Sequence, residues 1–123
     1  MIKVLFVDDD WELRKSVVRA LSMCKDMTVI QADGAEDAIK QLDEGLEVDV
    51  ILTDFSMYRL NGVDLIERIY KGARYTLVPC ILLTASDRVQ VLLDAKGLQN
   101  IPVLKKPARI ATIEEAIRSA ASN

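Results

Sequence analysis

Five short apolar runs alternate with five segments of helical periodicity along the 123-residue chain. The runs are rich in Val, Ile and Leu and cover residues 2–7, 27–32, 48–53, 79–84 and 101–105. Strands that are buried on both faces read as continuous apolar runs, because helices cover both sides of a parallel sheet. The alternation therefore predicts a strand–helix unit repeated five times. Five strands are too few for a closed eight-stranded barrel, so the pattern favours an open, doubly wound sheet.

Each run is followed by a helical segment whose apolar side chains recur every three or four residues. The inward-facing positions are predicted to be Leu13, Val17, Leu21, Ala35, Ala38, Ile39, Leu42, Val63, Ile66, Ile69, Tyr70, Val89, Leu92, Leu93, Ile110, Ile113, Ala116, Ile117 and Ala120. An aspartate is the cap candidate of the first helix, and Ser86 or Asp87 is expected to cap the fourth. Glycines at positions 45 and 72 are expected to end the second and third helices.

The composition excludes several classes of function. A net charge of −3 gives no basic excess, so we do not expect this chain to bind nucleic acid. The chain contains no histidine, which removes a histidine general base, a phosphohistidine and a histidine-ligated metal. Cys24 and Cys80 lie among apolar neighbours and are predicted to be buried thiols, since their spacing suits no metal site.

The organisation of the chain indicates one domain over residues 1–123, because no linker, repeat or low-complexity run divides it. The N-terminal apolar run is too short for a signal peptide and ends in acids. No stretch approaches the roughly 20 apolar residues of a membrane span. We therefore expect a cytoplasmic protein that makes no contact with membranes.

Polar side chains follow the predicted strands at the points where the strands end. In strand order they are Asp8, Asp9 and Asp10, then Asp33, then Thr53 and Asp54, then Thr84 with Ala85, then Lys105 and Lys106 with Pro107. Ligands of open α/β sheets bind at this edge. Taken singly, each residue has an ordinary structural interpretation as a helix cap, a turn residue or a solvated lysine. Their conjunction favours a shared site.

Crowded carboxylates, a hydroxyl and a lysine suit a hard divalent cation and a phosphoryl group. Magnesium prefers carboxylate oxygens, and it would relieve the repulsion between neighbouring acids. A lysine charge and a threonine hydroxyl stabilise a phosphoryl group, and a carboxylate can itself become an aspartyl phosphate.

The segments VDDD, LTDFSMYRLNG, ILLTAS and LKKP occur in this order on these elements. Together they are similar to the motifs of the response-regulator receiver domain of two-component signalling, and the match covers essentially the whole chain. The resemblance implies a flavodoxin-like (βα)5 fold, a three-layer sandwich with a five-stranded parallel sheet in the order 2-1-3-4-5.

The resemblance also implies a magnesium site and a phosphoacceptor. Asp8, Asp9, Asp54 and the backbone carbonyl of Ser56 would hold Mg²⁺. Asp54 would be the phosphoacceptor, and Thr84 would bind the phosphoryl group once it arrives.

Further positions of the family pattern follow the fourth and fifth strands. Lys106 would pair with a phosphoryl oxygen, and its bond to Pro107 would be cis. Ala85 would be the small residue beside the site.

Four positions set this chain apart from the family pattern. Tyr58 replaces the usual proline, which makes its loop more mobile or provides a surface contact. Val103 replaces a common aromatic residue, so the aromatic switch of the family is in doubt. Ser56 and Ser86 offer no carboxylate or amide to orient an attacking water, which predicts a long-lived acyl phosphate.

The resemblance further implies that a histidine kinase or histidine phosphotransfer protein supplies the phosphoryl group in trans. Residues 11–24 would face this donor, and residues 86–121 would form the output face. The domain would catalyse only its own phosphorylation and dephosphorylation. The effector is not specified, and both a monomer and a phosphorylation-dependent dimer remain open.

Two alternatives remain at this level. A haloacid-dehalogenase-type phosphatase would use Asp8 and Asp10, although it would leave Asp54 without a role. A pseudo-receiver would keep the fold as an interaction domain and take no phosphate.

Overall fold

Five parallel strands form one sheet in the computed structural model, which describes residues 1–72 and 78–122. The strands are β1 (Ile2–Val7), β2 (Met27–Ala32), β3 (Val50–Asp54), β4 (Cys80–Thr84) and β5 (Val103–Lys105). Their order in the sheet is β2-β1-β3-β4-β5. The predicted doubly wound architecture is confirmed.

Helices follow the strands in strict alternation. They are α1 (Trp11–Ser22), α2 (Ala35–Asp43), α3 (Gly62–Lys71), α4 (Val89–Ala95) and α5 (Ile110–Ala121). None of the helices in the described part of the chain is long and apolar enough to cross a membrane.

The two faces of the sheet bury separate apolar clusters. Successive residues of a strand point to opposite faces, so Leu5 and Val7 pack in one cluster while Val4 and Phe6 pack in the other. Side chains of α2, α3 and α4 complete the first cluster, and side chains of α1 and α5 complete the second. This two-sided burial explains why the strands read as unbroken apolar runs.

Several boundaries differ from the sequence prediction. β3 begins at Val50 rather than at 48. The Asp49 N–H still donates to the Lys3 carbonyl at 2.8 Å, but the Lys3 N–H donates to the Asp49 carboxylate at 2.7 Å instead of to a backbone carbonyl. β5 begins at Val103 rather than at 101, since Pro102 has no N–H to donate. The strand predicted over 79–84 begins at Cys80.

The predicted cap of α4 is wrong. Arg88 occupies the N-cap position, and its side chain makes no capping bond. The Ser86 hydroxyl instead accepts the Arg88 N–H at 3.1 Å within the preceding turn, and Asp87 forms an ion pair with Lys105. By contrast, Asp10 caps α1 as expected, accepting the N–H groups of Glu12 and Leu13.

Some apolar positions are less buried than their spacing predicts. Leu13, Leu92 and Ile110 are exposed rather than inward-facing. Cys80 is buried as predicted, but Cys24 is only half-buried. Its thiol donates to a carboxylate oxygen of Glu114 at 2.9 Å, a partner on α5 that sequence spacing does not reveal.

Candidate functional site

The carboxyl edge of the sheet gathers buried polar side chains from three adjacent strands. Asp54 is the last residue of β3, Thr84 is the last residue of β4, and Asp8 follows β1 directly. The parallel register pairs Val7 with Thr53 and Asp54 with Leu83, so these strand ends lie at one level. Asp8 is 2% exposed, Thr84 3% and Asp54 6%. Such burial is rare for ionisable groups and indicates a site.

Lys106 directly follows β5, and its side chain reaches Asp54 at the end of β3. Its ammonium group forms an ion pair with an Asp54 carboxylate oxygen. The Lys106 backbone N–H donates to the Thr84 carbonyl at 2.8 Å, which extends the β4–β5 pairing past the end of β5. The bond to Pro107 is cis, as the resemblance implied. The lysine is thus placed by backbone contacts rather than by its side chain alone.

Asp8 is held where β1 meets α1. Its carboxylate accepts the Asp10 N–H at 2.9 Å, and its carbonyl accepts the Arg14 guanidinium at 2.7 Å. Burial is the main cause that raises the pKa of Asp8 to about 6; the charge of Asp54 acts in the same direction, while the Asp10 N–H and the charge of Lys106 oppose it. The folded protein therefore disfavours the charged form of the Asp8 side chain.

Asp54 is in a similar electrostatic state. Burial raises its pKa above the ordinary range, and this outweighs the hydrogen bond and charge of Lys106. The charge of Asp9 also acts to raise the pKa of Asp54. Three carboxylates and one ammonium group therefore act on one another at this edge, and the acids are only partly compensated.

Gly62 lies directly against the backbone of Asp54. A Cβ atom at this position would lie 2.4 Å from the Asp54 carbonyl oxygen and 2.6 Å from a methyl carbon of Leu82. The Gly62 N–H donates to the Phe55 carbonyl at 2.9 Å, and the Phe55 N–H donates to Leu83 at 2.8 Å. The predicted Asn61-Gly62 turn therefore closes the loop after β3 tightly, and only glycine fits there.

Asp9 bonds to the loop after β3 and is not buried with Asp8 and Asp54. It is exposed, and its Oδ2 accepts the Tyr58 backbone N–H at 2.7 Å. The pattern of side chains in the sequence does not reveal this bond. The sequence does contain one indication of the bond, because Tyr58 stands where the family usually has proline and supplies a backbone N–H that proline lacks.

The remaining predicted residues line the margin of the site. The Thr84 hydroxyl oxygen accepts the Ser86 N–H at 2.9 Å. Ala85, Ser56 and Pro107 are exposed around the buried acids. Val103 is half-buried and packs against the apolar cluster beneath α2, α3 and α4, so the structure does not bring it to the acids.

The donor set fits a hard cation. Carboxylate oxygens of Asp8, Asp9 and Asp54 are the ligand type that Mg²⁺ prefers, and a cation would offset the raised pKa values of the two buried acids. Within residues 1–72 and 78–122, no group of three or more Asp, Glu or Cys side chains is already arranged to hold a metal. The orientation of Asp9 toward Tyr58 is consistent with this.

Comparisons with known proteins identify the family and support the fold. The family model of the response regulator receiver domain matches residues 4–118. The chemotaxis protein CheY1 of Helicobacter pylori is 28% identical over 105 residues, which is 85% of this chain and 85% of that protein. A response regulator receiver protein from Pseudomonas putida superposes with a TM-score of 0.82 at 27% identity over 96% of both chains. A response regulator receiver domain protein from Clostridium thermocellum shares the fold, with a TM-score of 0.86 at 23% identity over 99% of this chain and 95% of that one.

Proposed function

Since this chain belongs to the response regulator receiver domain family of two-component signalling, we propose that Asp54 accepts a phosphoryl group from a phosphohistidine. The donor is a histidine kinase or a histidine phosphotransfer protein. The observation that carries the proposal is the ion pair of the buried Asp54 carboxylate with Lys106, beside a second buried acid. A carboxylate can be the nucleophile in phosphoryl transfer, and a cation beside it can offset the charge of the phosphoryl oxygens.

The transfer moves one phosphoryl group between two residues. A carboxylate oxygen of Asp54 attacks phosphorus, the bond from phosphorus to the donor imidazole nitrogen breaks, and an acyl phosphate forms on Asp54. Lys106 then pairs with a phosphoryl oxygen instead of the free carboxylate. The Thr84 oxygen already accepts the Ser86 N–H, so its own O–H is left to donate to the phosphoryl group.

Asp8, Asp9 and Asp54 are the residues that would hold Mg²⁺, with the Ser56 carbonyl as a further ligand. When bound, the ion supplies positive charge that offsets the negative charge of the phosphoryl oxygens during transfer. Asp8 is suited to be a magnesium ligand because it is buried next to Asp54 and its carboxylate is already fixed by the N–H of Asp10.

The rest of the proposal concerns the domain as a whole. Residues 1–123 form a single cytoplasmic receiver domain, and residues 86–121 form its output face. Val91, Leu92 and Ile110 are exposed in this region, which supports a surface that an effector or a second copy covers. Ser56 and Ser86 lie beside the site without an acid or amide group, which supports a slow hydrolysis of the acyl phosphate.

The phosphatase alternative finds no support in the geometry. Asp10 would be required at the reacting centre, but it is exposed and its carboxylate accepts two backbone N–H groups of α1. Asp54, which that alternative leaves unused, is the acid that pairs with Lys106.

The test is phosphorylation by acetyl phosphate in magnesium buffer, followed by intact mass measurement. We expect an added phosphoryl mass in the wild type and none in Asp54→Ala. The Asp8→Asn variant should react slowly because it loses a magnesium ligand. The matched control is Asp10→Asn, which keeps a good cap and should react normally. Loss of reaction in Asp10→Asn but not in Asp54→Ala would support the phosphatase, and no reaction in any variant would support a pseudo-receiver.

A further inference from the structure

We propose that the Tyr58 backbone N–H competes with Mg²⁺ for the carboxylate of Asp9, so that filling the metal site releases the loop from Phe55 to Asn61. This inference rests on the magnesium site of the proposed function and adds a positioning role for one backbone group. The inference requires competition from the Tyr58 N–H alone.

The first observation is the hydrogen bond itself. The Tyr58 N–H donates to Oδ2 of Asp9 at 2.7 Å, a short bond between a neutral donor and an exposed acid. Bonds to an ionised acceptor are shorter and stronger than bonds between neutral groups. In this arrangement Asp9 is directed to the loop rather than into a group with Asp8 and Asp54, and no three acids in the described ranges are arranged to hold a metal.

The second observation is the way in which the loop is fixed. Both ends are tied by backbone bonds, from Phe55 to Leu83 and from Gly62 to Phe55. The middle is held by the bond from Tyr58 to Asp9, and the next residue, Arg59, has φ 68°, in the left-handed region that non-glycine residues rarely adopt. Asp9 therefore holds the loop one residue before this left-handed position.

The third observation is that the loop connects to α2. The Arg59 guanidinium lies 3.4 Å from a carboxylate oxygen of Glu36 and 5.8 Å from the centre of the Tyr58 ring. If Asp9 turns to a cation, Tyr58 loses its acceptor, and the strain at Arg59 is free to relax. The movement would then reach the surface between the loop and the start of α2.

Two substitutions separate the N–H from the ring. Tyr58→Ala removes the aromatic ring and keeps the backbone donor, whereas Tyr58→Pro removes both. Trp11 is the single tryptophan of the chain and lies two residues from Asp9, so its fluorescence reports binding without any phosphotransfer. We expect Tyr58→Pro to bind Mg²⁺ about tenfold more tightly than Tyr58→Ala, the weight of one hydrogen bond to a charged group.

A second measurement uses the unsubstituted protein. Amide hydrogen exchange at Tyr58, followed by NMR, should be slow in metal-free buffer and should become faster as Mg²⁺ is added. Exchange of the Gly62 amide, which donates to a backbone carbonyl, is the internal control and should not change in this way.

The outcomes distinguish this inference from the proposed function. Equal affinities of the two variants, or a weaker affinity in Tyr58→Pro, would show that the N–H does not compete, and protection of Tyr58 that survives saturation with Mg²⁺ would show the same. These results overturn the inference and leave the proposed function standing. An absence of any magnesium response in the wild type would overturn both.

Discussion

Asp54 and Lys106 form an ion pair at the carboxyl edge of the sheet, whereas Asp26 and Arg118 form one near the amino edge. The Arg118 pair is bidentate, with hydrogen bonds of 3.0 and 3.1 Å, and both partners are well exposed. Its guanidinium lowers the pKa of Asp26. The pKa of Asp54 is raised despite Lys106, because burial outweighs the charge of its partner.

The two ion pairs therefore act differently in the molecule. The exposed pair fastens α5 to the turn before β2, and water solvates whatever charge the partners leave uncompensated. At the buried pair, desolvation of the acid is not fully repaid by one lysine. A partly compensated carboxylate is poorly suited to stabilising a fold and well suited to accepting a cation or a phosphoryl group. Asp8, a second buried acid nearby, increases this imbalance.

The largest effect is expected from filling the space behind Asp54. The substitution Gly62→Ala places a Cβ atom against the Asp54 carbonyl and Leu82, and backbone must move to admit it. We expect the free energy of unfolding to fall by about 3 to 4 kcal/mol, measured by urea denaturation. The matched control is Gly34→Ala, which meets no atom within 4 Å and should change stability by less than about 1 kcal/mol. Similar losses of stability in the two variants would show that the contact of the added Cβ atom with Asp54 and Leu82 does not determine the effect.

Asp8 should make the free energy of unfolding fall, rather than rise, as the pH increases. Its pKa is about 6 in the folded protein and 3.8 in the unfolded chain, so the folded state binds more protons between these values. Stability therefore falls as pH rises from about 4 to 6, by about 2 to 3 kcal/mol at about 1.4 kcal/mol per pKa unit. The pKa of Asp26 is lowered, so its contribution to the free energy of unfolding has the opposite dependence and is lost as pH falls.

The measurement is urea denaturation from pH 4 to 7 in metal-free buffer, for the wild type and Asp8→Asn. Asparagine keeps an acceptor for the Asp10 N–H and has no charge to bury, so the variant should be the more stable protein at pH 7. A wild type whose stability rises steadily over this range would contradict the prediction.

A double-mutant cycle measures the coupling within the buried pair. Lys106→Met leaves Asp54 buried without a cation and should raise its pKa further, whereas Asp54→Asn removes the charge that needs a partner. We expect a coupling free energy of about 1 to 3 kcal/mol from urea denaturation of the two single variants and the double variant. Additive effects of the two substitutions on the free energy of unfolding would mean that Lys106 does not stabilise the Asp54 carboxylate.

The smallest effect is expected from the same cycle at the exposed pair, with Asp26→Asn and Arg118→Met. Water replaces the lost partner at an exposed site, so the coupling should be smaller than at the buried pair. It should also disappear in about 1 M salt, where charges are screened within about 3 Å. A coupling that persists in high salt and exceeds that of Asp54 with Lys106 would reverse the comparison.

The strand–helix alternation was sufficient to predict an open, doubly wound sheet, because burial on both faces of the sheet leaves an apolar run in the sequence. The strand order followed from the family resemblance of the motifs. Element ends were less predictable. The start of β3 depends on the carboxylate of Asp49, and the start of α4 depends on where Ser86 and Asp87 find partners. Cys24 was predicted to be buried because its neighbours are apolar, but its partner Glu114 lies 90 residues away.

The residues of the site were predictable as a set, since parallel strands end at a common edge. The structure brings Asp8, Asp54, Thr84 and Lys106 together there, while their roles in phosphotransfer stay predictions. The orientation of Asp9 was not predictable, because a backbone N–H leaves no mark in a list of side chains. Val103 illustrates the same limit, since its position in the core depends on the packing of three helices.

The strand order also dictates when the site becomes complete during synthesis of the chain. β1 lies inside the sheet between β2 and β3, so both buried acids are present as soon as residue 54 has emerged. Lys106 follows β5, which is an edge strand and the last to be made. A nascent chain that stops before residue 103 therefore contains both acids and lacks the lysine that pairs with Asp54. The cation that pairs with the buried Asp54 therefore enters the chain late in translation, together with the final strand.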